Sequence, residues 1–239
     1  MDGLILIDKP VDYTSHDVVN RVRRIMNTRR VGHAGTLDPF ATGLLILGVN
    51  KGTKLLTALV GTDKTYIATA RLGATTTTDD TEGEVVPYVT TPVDMQVGLG
   101  AINCAPTRDE IDRTLQMFMG TSEQITPLYS AKKVGGKKMY ELARQGLGDT
   151  VKRPKKIITI HEIKLLSYAW PEVSFEVSCT SGTYIRALAR DLGEKLRCGA
   201  YLTGLRRTRI GEYKVEDAKT IEELSAHPDI VTLNEVVAK

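Results

Sequence analysis

Apolar and polar positions along this chain follow two different periods, and each period predicts one kind of element. Short apolar runs predict buried strands, and strict alternation predicts half-buried ones. Such strands are predicted at residues 3–8, 44–47, 64–72, 155–166, 173–179 and 201–210. Because side chains alternate across a strand, Tyr66 shares one face of the third strand with Ala68 and Ala70.

Apolar residues that recur every three to four positions predict amphipathic helices between these strands. Helices are predicted at residues 14–26, 53–60, 107–118, 137–144, 181–196 and 220–225. The first and third begin with a capping box, a threonine followed three residues later by an acid. The fifth has Ser181 or Thr183 as its predicted N-cap, which places Arg186 in its first turn.

The order of these elements predicts the fold class. Strict alternation of strand and helix is absent, which argues against a doubly wound parallel sheet. We therefore predict an α+β fold around a mainly antiparallel sheet. Residues 73–83 are predicted to form a loop, and residues 121–133 to be irregular and then strand-like.

Charge is unevenly distributed over the 239 residues, whose net charge is +3. Basic residues cluster at 21–30, 132–138, 152–156 and 206–209, whereas acids outnumber bases after residue 210. Each cluster alone is compatible with a solvated face, but four together favour RNA or DNA as a partner.

Several functional classes find no support in the sequence. The three cysteines are scattered without a CxxC pair, so neither a zinc site nor a disulfide framework is predicted. Asp79, Asp80 and Glu82 lack the spacing of a calcium loop. No apolar run is long enough for a membrane helix, and we see no secretory signal. We predict a cytoplasmic protein without a metal.

Candidate chemistry concentrates in residues 29–43, which read RRVGHAGTLDPFATG. This stretch holds one carboxylate, Asp38, and Pro39 biases that residue toward extended backbone. A lone acid on a stiff loop beside cations is typical of a nucleophile or general base. The alternative is a surface turn with an Asx-type hydrogen bond.

Two residues outside this stretch also have a functional interpretation. Small neighbours leave room above the ring of Tyr66 for a stacked nucleobase, although a core tyrosine has the same pattern. The positive charge of Arg186 is unfavourable at the N-terminal end of the helix dipole, so we expect an anion nearby to compensate it. A bidentate pair with a carboxylate would satisfy it, and Asp38 is a candidate partner.

Ten short motifs in order resemble the TruB family of tRNA pseudouridine synthases. They are GLILIDKP at 3–10, TSHDVVN at 14–20, GHAGTLDP at 32–39, ATG at 41–43, KTY at 64–66, RLG at 71–73, SAK at 130–132, GTYIR at 182–186, DLG at 191–193 and LRR at 205–207. The resemblance spans most of the chain. It implies the pseudouridine synthase fold, which is a mainly antiparallel mixed sheet flanked by helices with an active-site cleft. It also implies a cofactor-free isomerase that converts uridine 55 in the T loop of tRNA to pseudouridine.

The resemblance also implies a role for each site residue. Asp38 matches the nucleophile, by attack on the sugar or by elimination to a glycal. Tyr66 matches the tyrosine that stacks on the target base near its C5 proton, and Arg186 the arginine that pairs with the aspartate. His33 matches a histidine that fills the space of the extruded nucleotide. The remaining assignments are substrate-pocket positions at Tyr184 and Leu205 and a loop-supporting motif at Lys9 and Pro10.

Two departures from the family pattern affect these expectations. Thr77 stands where an aspartate is usual, although Asp80 keeps the other acid of that loop. Many family members carry a small RNA-binding domain of the PUA type after the catalytic domain. We expect residues 1–210 to form the catalytic domain and residues 211–239 a short acidic extension, not a full PUA domain.

Other functions stay open at this point. The same fold can serve as an RNA-binding or tRNA-folding helper without catalysis, or as a uridine isomerase of another RNA. A carboxylate-dependent hydrolase would need a second acid opposite the first, and the loop of Asp38 has none. The expected partner is the T stem-loop of tRNA. We expect the protein to be a monomer that does not associate with a membrane.

Overall fold

The structure, a computed structural model, describes residues 2–88, 105–130, 132–147, 153–228 and 231–232. Its strands are β1 (Gly3–Lys9), β2 (Val31–His33), β3 (Thr42–Val49), β4 (Lys64–Leu72), β5 (Ala74–Thr76), β6 (Val85–Pro87), β7 (Gly120–Ile125), β8 (Lys133–Val134), β9 (Lys137–Lys138), β10 (Lys155–Ala169), β11 (Glu172–Cys179), β12 (Ala200–Ile210), β13 (Tyr213–Lys214) and β14 (Val231–Thr232). Its α-helices are α1 (Ser15–Ile25), α2 (Leu56–Gly61), α3 (Arg108–Gln116), α4 (Met139–Arg144), α5 (Ile185–Lys195) and α6 (Ile221–Ala226). Short 3-10 helices cover Asn50–Lys54 and Val215–Asp217.

Contacts divide the chain into two units, a first unit of Met1–Ile67 with Gly204–Lys239 and a second unit of Ala68–Thr203. In the first unit β3 is the central strand. It pairs antiparallel with β1 and β2, and parallel with β12 where Arg206 faces Thr42. Strand β14 pairs antiparallel with the other edge of β1.

Both faces of β1 are buried, which explains its continuous apolar run. Ile5 and Ile7 pack in one hydrophobic cluster, and Leu4 and Leu6 in another. The first cluster includes Val18, Val19 and Val22 of α1 and Ile221 and Leu224 of α6. The sheet of the first unit is therefore covered on both sides, and its buried core fixes the loops that follow β1 and β2.

The second unit is built around a long antiparallel hairpin of β10 and β11, with β7 paired to the other edge of β10. The inward residues of β11 alternate as its sequence predicts, and all of them are fully buried. Helices α3 and α5 bury their apolar stripes in this unit. Gln116 of α3 donates a hydrogen bond to the carbonyl of Ile163 in β10 at 3.1 Å.

Two expectations about local structure were wrong, and two predicted helices are present with different bounds. Ala74–Thr76 is not loop, because it pairs with Val85–Pro87. Gly120–Ile125 is strand from its first residue, since it pairs with β10. The chain around 53–60 is a 3-10 turn followed by Leu56–Gly61, and the helix predicted at 137–144 begins only at Met139. In the first, second and fourth cases, pairing with a distant or neighbouring strand overrides local propensity.

Candidate functional site

The loop that carries Asp38 lies between β2 and β3 in the first unit, and Asp38 itself is half-buried. Ser15, the first residue of α1, fixes the position before it. The Ser15 hydroxyl accepts a hydrogen bond from the Leu37 amide at 2.9 Å and donates one to the Leu37 carbonyl at 3.1 Å. Because both bonds are buried, they hold the backbone next to Asp38 firmly.

Lys9 fixes the position after Asp38. Its side chain is fully buried, and Nζ donates to the carbonyls of Pro10 at 2.8 Å, Tyr13 at 2.5 Å and Pro39 at 3.1 Å. Burial lowers the pKa of Lys9 to about 8, against the opposing attraction of nearby carboxylates that include Asp38. Lys9 and Pro10 therefore tie the end of β1 to the Asp38 loop, and Lys9 brings a positive charge close to that loop.

Arg207 in β12 holds the beginning of the same loop. It is 1% exposed, and its Nε donates to the Leu44 carbonyl at 2.8 Å. Nη2 donates to the Gly35 carbonyl at 3.1 Å. Gly43 allows this approach of β3 to β12, since a Cβ there would lie 2.3 Å from the Arg207 carbonyl oxygen. The Arg207 guanidinium thus donates hydrogen bonds to backbone carbonyls on both sides of Asp38.

Tyr66 meets the same guanidinium. Its side chain is buried at 8% exposure on the inward face of β4, and Arg207 makes a side-chain hydrogen bond to it. Burial lowers the pKa of Arg207, and Tyr66 acts in the opposite direction. The buried cation of Arg207 therefore orients the phenol of Tyr66.

His33 and Leu205 belong to the same unit. His33 ends β2 and is half-buried; burial lowers the pKa of its imidazole, and the positive charge of Arg207 lowers it further. The imidazole is therefore neutral at pH 7. Leu205 is buried on the face of β12 that also carries Arg207. The first unit thus contains four of the predicted site residues, which are His33, Asp38, Tyr66 and Leu205.

Arg186 lies in the first turn of α5 in the second unit and is 5% exposed. Its Nη1 donates to the Thr78 carbonyl at 2.9 Å and lies 3.1 Å from Asp80 Oδ2. Nη2 donates to the Tyr129 carbonyl at 3.0 Å. The anion that this helix position calls for is therefore supplied at least by Asp80, and pairing with Asp38, which lies in the first unit, stays a prediction.

Asp80 is itself held in place by its own loop. Its Oδ1 accepts hydrogen bonds from the Thr78 hydroxyl at 2.5 Å and from the Glu82 amide at 3.0 Å. The Thr76 hydroxyl donates to the Asp80 carbonyl at 2.7 Å. Thr77, where the family usually has an acid, is exposed in this loop.

Tyr184 immediately precedes α5 and is half-buried. The side-chain amide of Gln124 in β7 accepts from the Tyr184 amide at 2.8 Å and donates to its carbonyl at 3.0 Å. The prediction of a Ser181 or Thr183 N-cap was wrong, because no side-chain cap is present and Gln124 supports the helix start instead. This backbone clamp positions Tyr184 and Arg186 together.

Comparison with known proteins decides the family. Residues 23–185 match the TruB family pseudouridylate synthase (N terminal domain), and residues 186–237 match the tRNA pseudouridylate synthase B C-terminal domain. The chain belongs to the TruB family. The family and the enzyme class predicted from the sequence, a pseudouridine synthase, are thereby confirmed.

Relatives of this TruB-family chain include three named tRNA pseudouridine synthase B. The Thermobifida fusca (strain YX) protein is 47% identical over 99% of this chain and 79% of its own length. The Arthrobacter sp. (strain FB24) protein is 45% identical over 98% of this chain and 74% of its own length. The Corynebacterium diphtheriae protein is 43% identical over 99% of this chain and 77% of its own length.

Solved structures confirm the α+β pseudouridine synthase fold of this TruB-family chain. A chain of a Cbf5-Nop10-Gar1 complex matches with a TM-score of 0.70 and 30% identity over 95% of this chain and 54% of that one. A chain of an H/ACA RNP bound to a substrate RNA containing 2'-deoxyuridine matches with a TM-score of 0.67 and 26% identity. The TruB-family chain spans about half the length of these proteins.

Among the described residues, no group of three or more histidines, cysteines and acids is placed to hold a metal ion. No helix in the described part of the chain is long and apolar enough to cross a membrane.

Sequence reasoning missed two residues that shape this TruB-family site. Arg207 was placed in a basic cluster and in the LRR motif but assigned no role, although it alternates with Leu205 on a face that proves buried. Asp80 was considered as part of a possible calcium loop and as an acid of the family pattern, but not as a partner of Arg186. A charged residue in phase with apolar neighbours, and an arginine in a helix's first turn, are the signals that point to them.

Proposed function

We propose that this chain converts uridine 55 in the T loop of tRNA to pseudouridine. The observation that carries the proposal is the set of contacts that holds the Asp38 loop in place in a chain of this family. Its loop is fixed on one side by Ser15 and on the other by the buried Lys9, while Arg207 joins the loop to Tyr66. The names of the relatives, tRNA pseudouridine synthase B, support tRNA as the substrate.

The reaction is an isomerisation in which the glycosidic bond moves from N1 to C5. Asp38 serves as the nucleophile, or promotes elimination to a glycal, while the bond between N1 and C1′ breaks. The base turns, its C5 bonds to C1′, and the C5 proton is lost while N1 gains one. Tyr66 stacks on the base near C5, and Arg186 keeps the carboxylate of Asp38 ionised and oriented. Atoms balance without a redox partner or cofactor.

The other predicted residues bind the substrate. A base in a folded loop cannot react until it is flipped out of its stack. His33 occupies the space that the nucleotide leaves, and its neutral imidazole suits an apolar stacking role. Tyr184 and Leu205 line the pocket for the flipped base. All these residues lie within 1–210, the proposed catalytic domain, and residues 211–239 are the proposed acidic extension. The enzyme acts as a monomer in the cytoplasm, where tRNA is found.

The experiment uses a tRNA transcript tritiated at uridine C5, incubated with the full chain without added metal. Release of about one tritium per tRNA, mapped to the T loop, is expected from the flipping of a single base. Asp38→Asn is expected to bind this tRNA as tightly and to release no tritium. Tight, salt-sensitive binding by the wild type without release would refute the proposal and favour the RNA-binding helper.

A further inference from the structure

Two consecutive acids of the second unit face two arginines that lie one turn apart on α5. Arg186 Nη1 lies 3.1 Å from Asp80 Oδ2, and Arg190 Nη1 lies 3.1 Å from Asp79 Oδ2. Residues four apart on a helix lie side by side on one face. The loop of 76–82 is therefore fastened to α5 at two successive points.

The backbone of Asp79 is shaped to make the second contact. Its φ is 64°, in the left-handed region, where aspartate is better tolerated than most residues. Its carbonyl accepts a hydrogen bond from the Leu202 amide at 3.0 Å. With the backbone fixed by β12 and the side chain by α5, residue 79 holds the loop immediately before Asp80.

The contact with Asp79 is not needed to neutralise the charge of Arg190. Arg190 also donates to Asp191 Oδ1 at 2.7 and 3.0 Å, and its Nε lies 3.9 Å from Glu194 Oε1. Asp191 and Glu194 belong to α5 itself. Of the three acids, only Asp79 joins the helix to the loop, so its contact determines where the loop lies and not whether Arg190 is neutralised.

We propose that the Asp79–Arg190 ion pair is a positioning device for Arg186. By fixing the loop, it places the Thr78 carbonyl and the Asp80 carboxylate, which together orient the Arg186 guanidinium. This inference rests on the proposed function, in which Arg186 orients the nucleophile. It makes Asp79 and Arg190 positioning residues that have no contact with the substrate.

The direction in which the pKa of Asp79 is shifted favours a role of this residue in orientation over a role in stability. Burial raises the pKa of Asp79, although Arg190, Arg186 and Arg153 oppose it and Asp191 adds to it. When the pKa of an acid is higher in the folded than in the unfolded state, the free energy of unfolding falls as pH rises between the two pKa values. Burial therefore disfavours the charged form of Asp79 more than the three arginines favour it, and ion pairs of this kind are retained in some proteins for specificity.

The test compares Asp79→Asn with Glu194→Gln. Both changes remove one acid that contacts Arg190, but Glu194 is exposed and lies on α5 itself. The readouts are the single-turnover rate of tritium release from C5-tritiated tRNA, the Kd for that tRNA and the Tm. Asp79→Asn is expected to slow release by about tenfold, since small errors of orientation carry such costs. Its Kd should be unchanged, and its Tm equal to or above that of the wild type. Glu194→Gln should match the wild type in rate and Kd.

Three results would overturn the inference. They are an Asp79→Asn rate within twofold of the wild type, an equal slowing in Glu194→Gln, and a loss of rate that follows a lowered Tm. Asp79→Glu, which keeps the charge on a longer side chain, is expected to recover part of the rate. A wild type that releases no tritium refutes the proposed function, so the two failures are distinguishable.

Discussion

The guanidinium of Arg207 forms a hydrogen bond with the side chain of Tyr66, and both residues are buried. The same guanidinium donates to the Gly35 carbonyl in the loop that leads to Asp38. One rigid fork therefore holds the tyrosine proposed to stack on the base and the loop of the proposed nucleophile. A change at Arg207 should disturb both at once.

Replacing Arg207 by lysine should be costly, whereas the same change at its neighbour should not. A lysine keeps the charge but cannot reach the carbonyls of Leu44 and Gly35 and the phenol together, so the free energy of unfolding should fall by about 3 kcal/mol. Arg206 pairs with Asp8 at 2.9 and 2.6 Å but is 40% exposed, so Arg206→Lys should cost at most about 1 kcal/mol. Urea unfolding of both variants gives the two values, and equal losses would contradict the prediction.

Tyr66→Phe should separate the ring of this residue from its hydroxyl. The ring remains for stacking, so tRNA affinity should be retained. The buried guanidinium loses one acceptor, which should lower the free energy of unfolding by about 1–2 kcal/mol, and tritium release should slow. Tyr13→Phe, at a side chain that is 42% exposed, is the control and should stay within about 0.5 kcal/mol. Loss of affinity in Tyr66→Phe without a loss of stability would refute this account of the hydroxyl.

Local signals gave correct predictions for the elements that depend on them. The capping boxes at Thr14 and Thr107 are present, because each joins residues only three apart. The start of α5 was mispredicted because its support comes from Gln124, 60 residues away from Tyr184. A strand at Ala74–Thr76 likewise needs a partner strand that local sequence does not specify.

The site residues also divide into those with a local signal in the sequence and those whose partners are distant along the chain. Asp38 is conspicuous in the sequence because its proline, glycines and basic neighbours are adjacent to it. Arg207 contacts Gly35 across 172 residues, and Arg186 contacts Thr78 across 108. These contacts arise only when the strands are assembled, so sequence patterns predict the need for a partner but not which residue supplies it.

Lys9 should make the stability of the protein depend on pH in a defined direction. Burial lowers its pKa from 10.5 to about 8, so between these values the unfolded chain binds more protons than the folded one. The free energy of unfolding should therefore rise with pH across this range, by at most about 1.4 kcal/mol per pH unit. The comparison is with Lys9→Met, which lacks this titration. The difference between wild type and Lys9→Met should become more favourable to the wild type from pH 8 to pH 10, and a flat or falling difference would contradict the burial of a charged Lys9.

Two arginines of α1 are available for an RNA phosphate. Arg21 and Arg24 are exposed one turn apart and line a cavity of about 330 Å³ with Tyr13, Asp12 and others. Within the described part of the chain, neither side chain has a hydrogen bond or an ion pair. The turn that borders this cavity contacts the Asp38 loop, since the Asp12 amide donates to the Pro39 carbonyl at 3.0 Å. An RNA chain bound over the loop would therefore pass close to both arginines.

The double change Arg21→Gln with Arg24→Gln should weaken tRNA binding in a salt-dependent way. Two lost phosphate contacts should reduce the slope of log K against log salt by about 1.4–1.8. The control is Lys155→Gln with Lys164→Gln, which removes the same charge but at lysines already paired with Glu123 and Glu162 at 2.8 and 2.6 Å. Filter binding at several salt concentrations measures both slopes. If the two double variants lower the slope equally, the effect is one of net charge, and α1 is not a contact site for the phosphate chain.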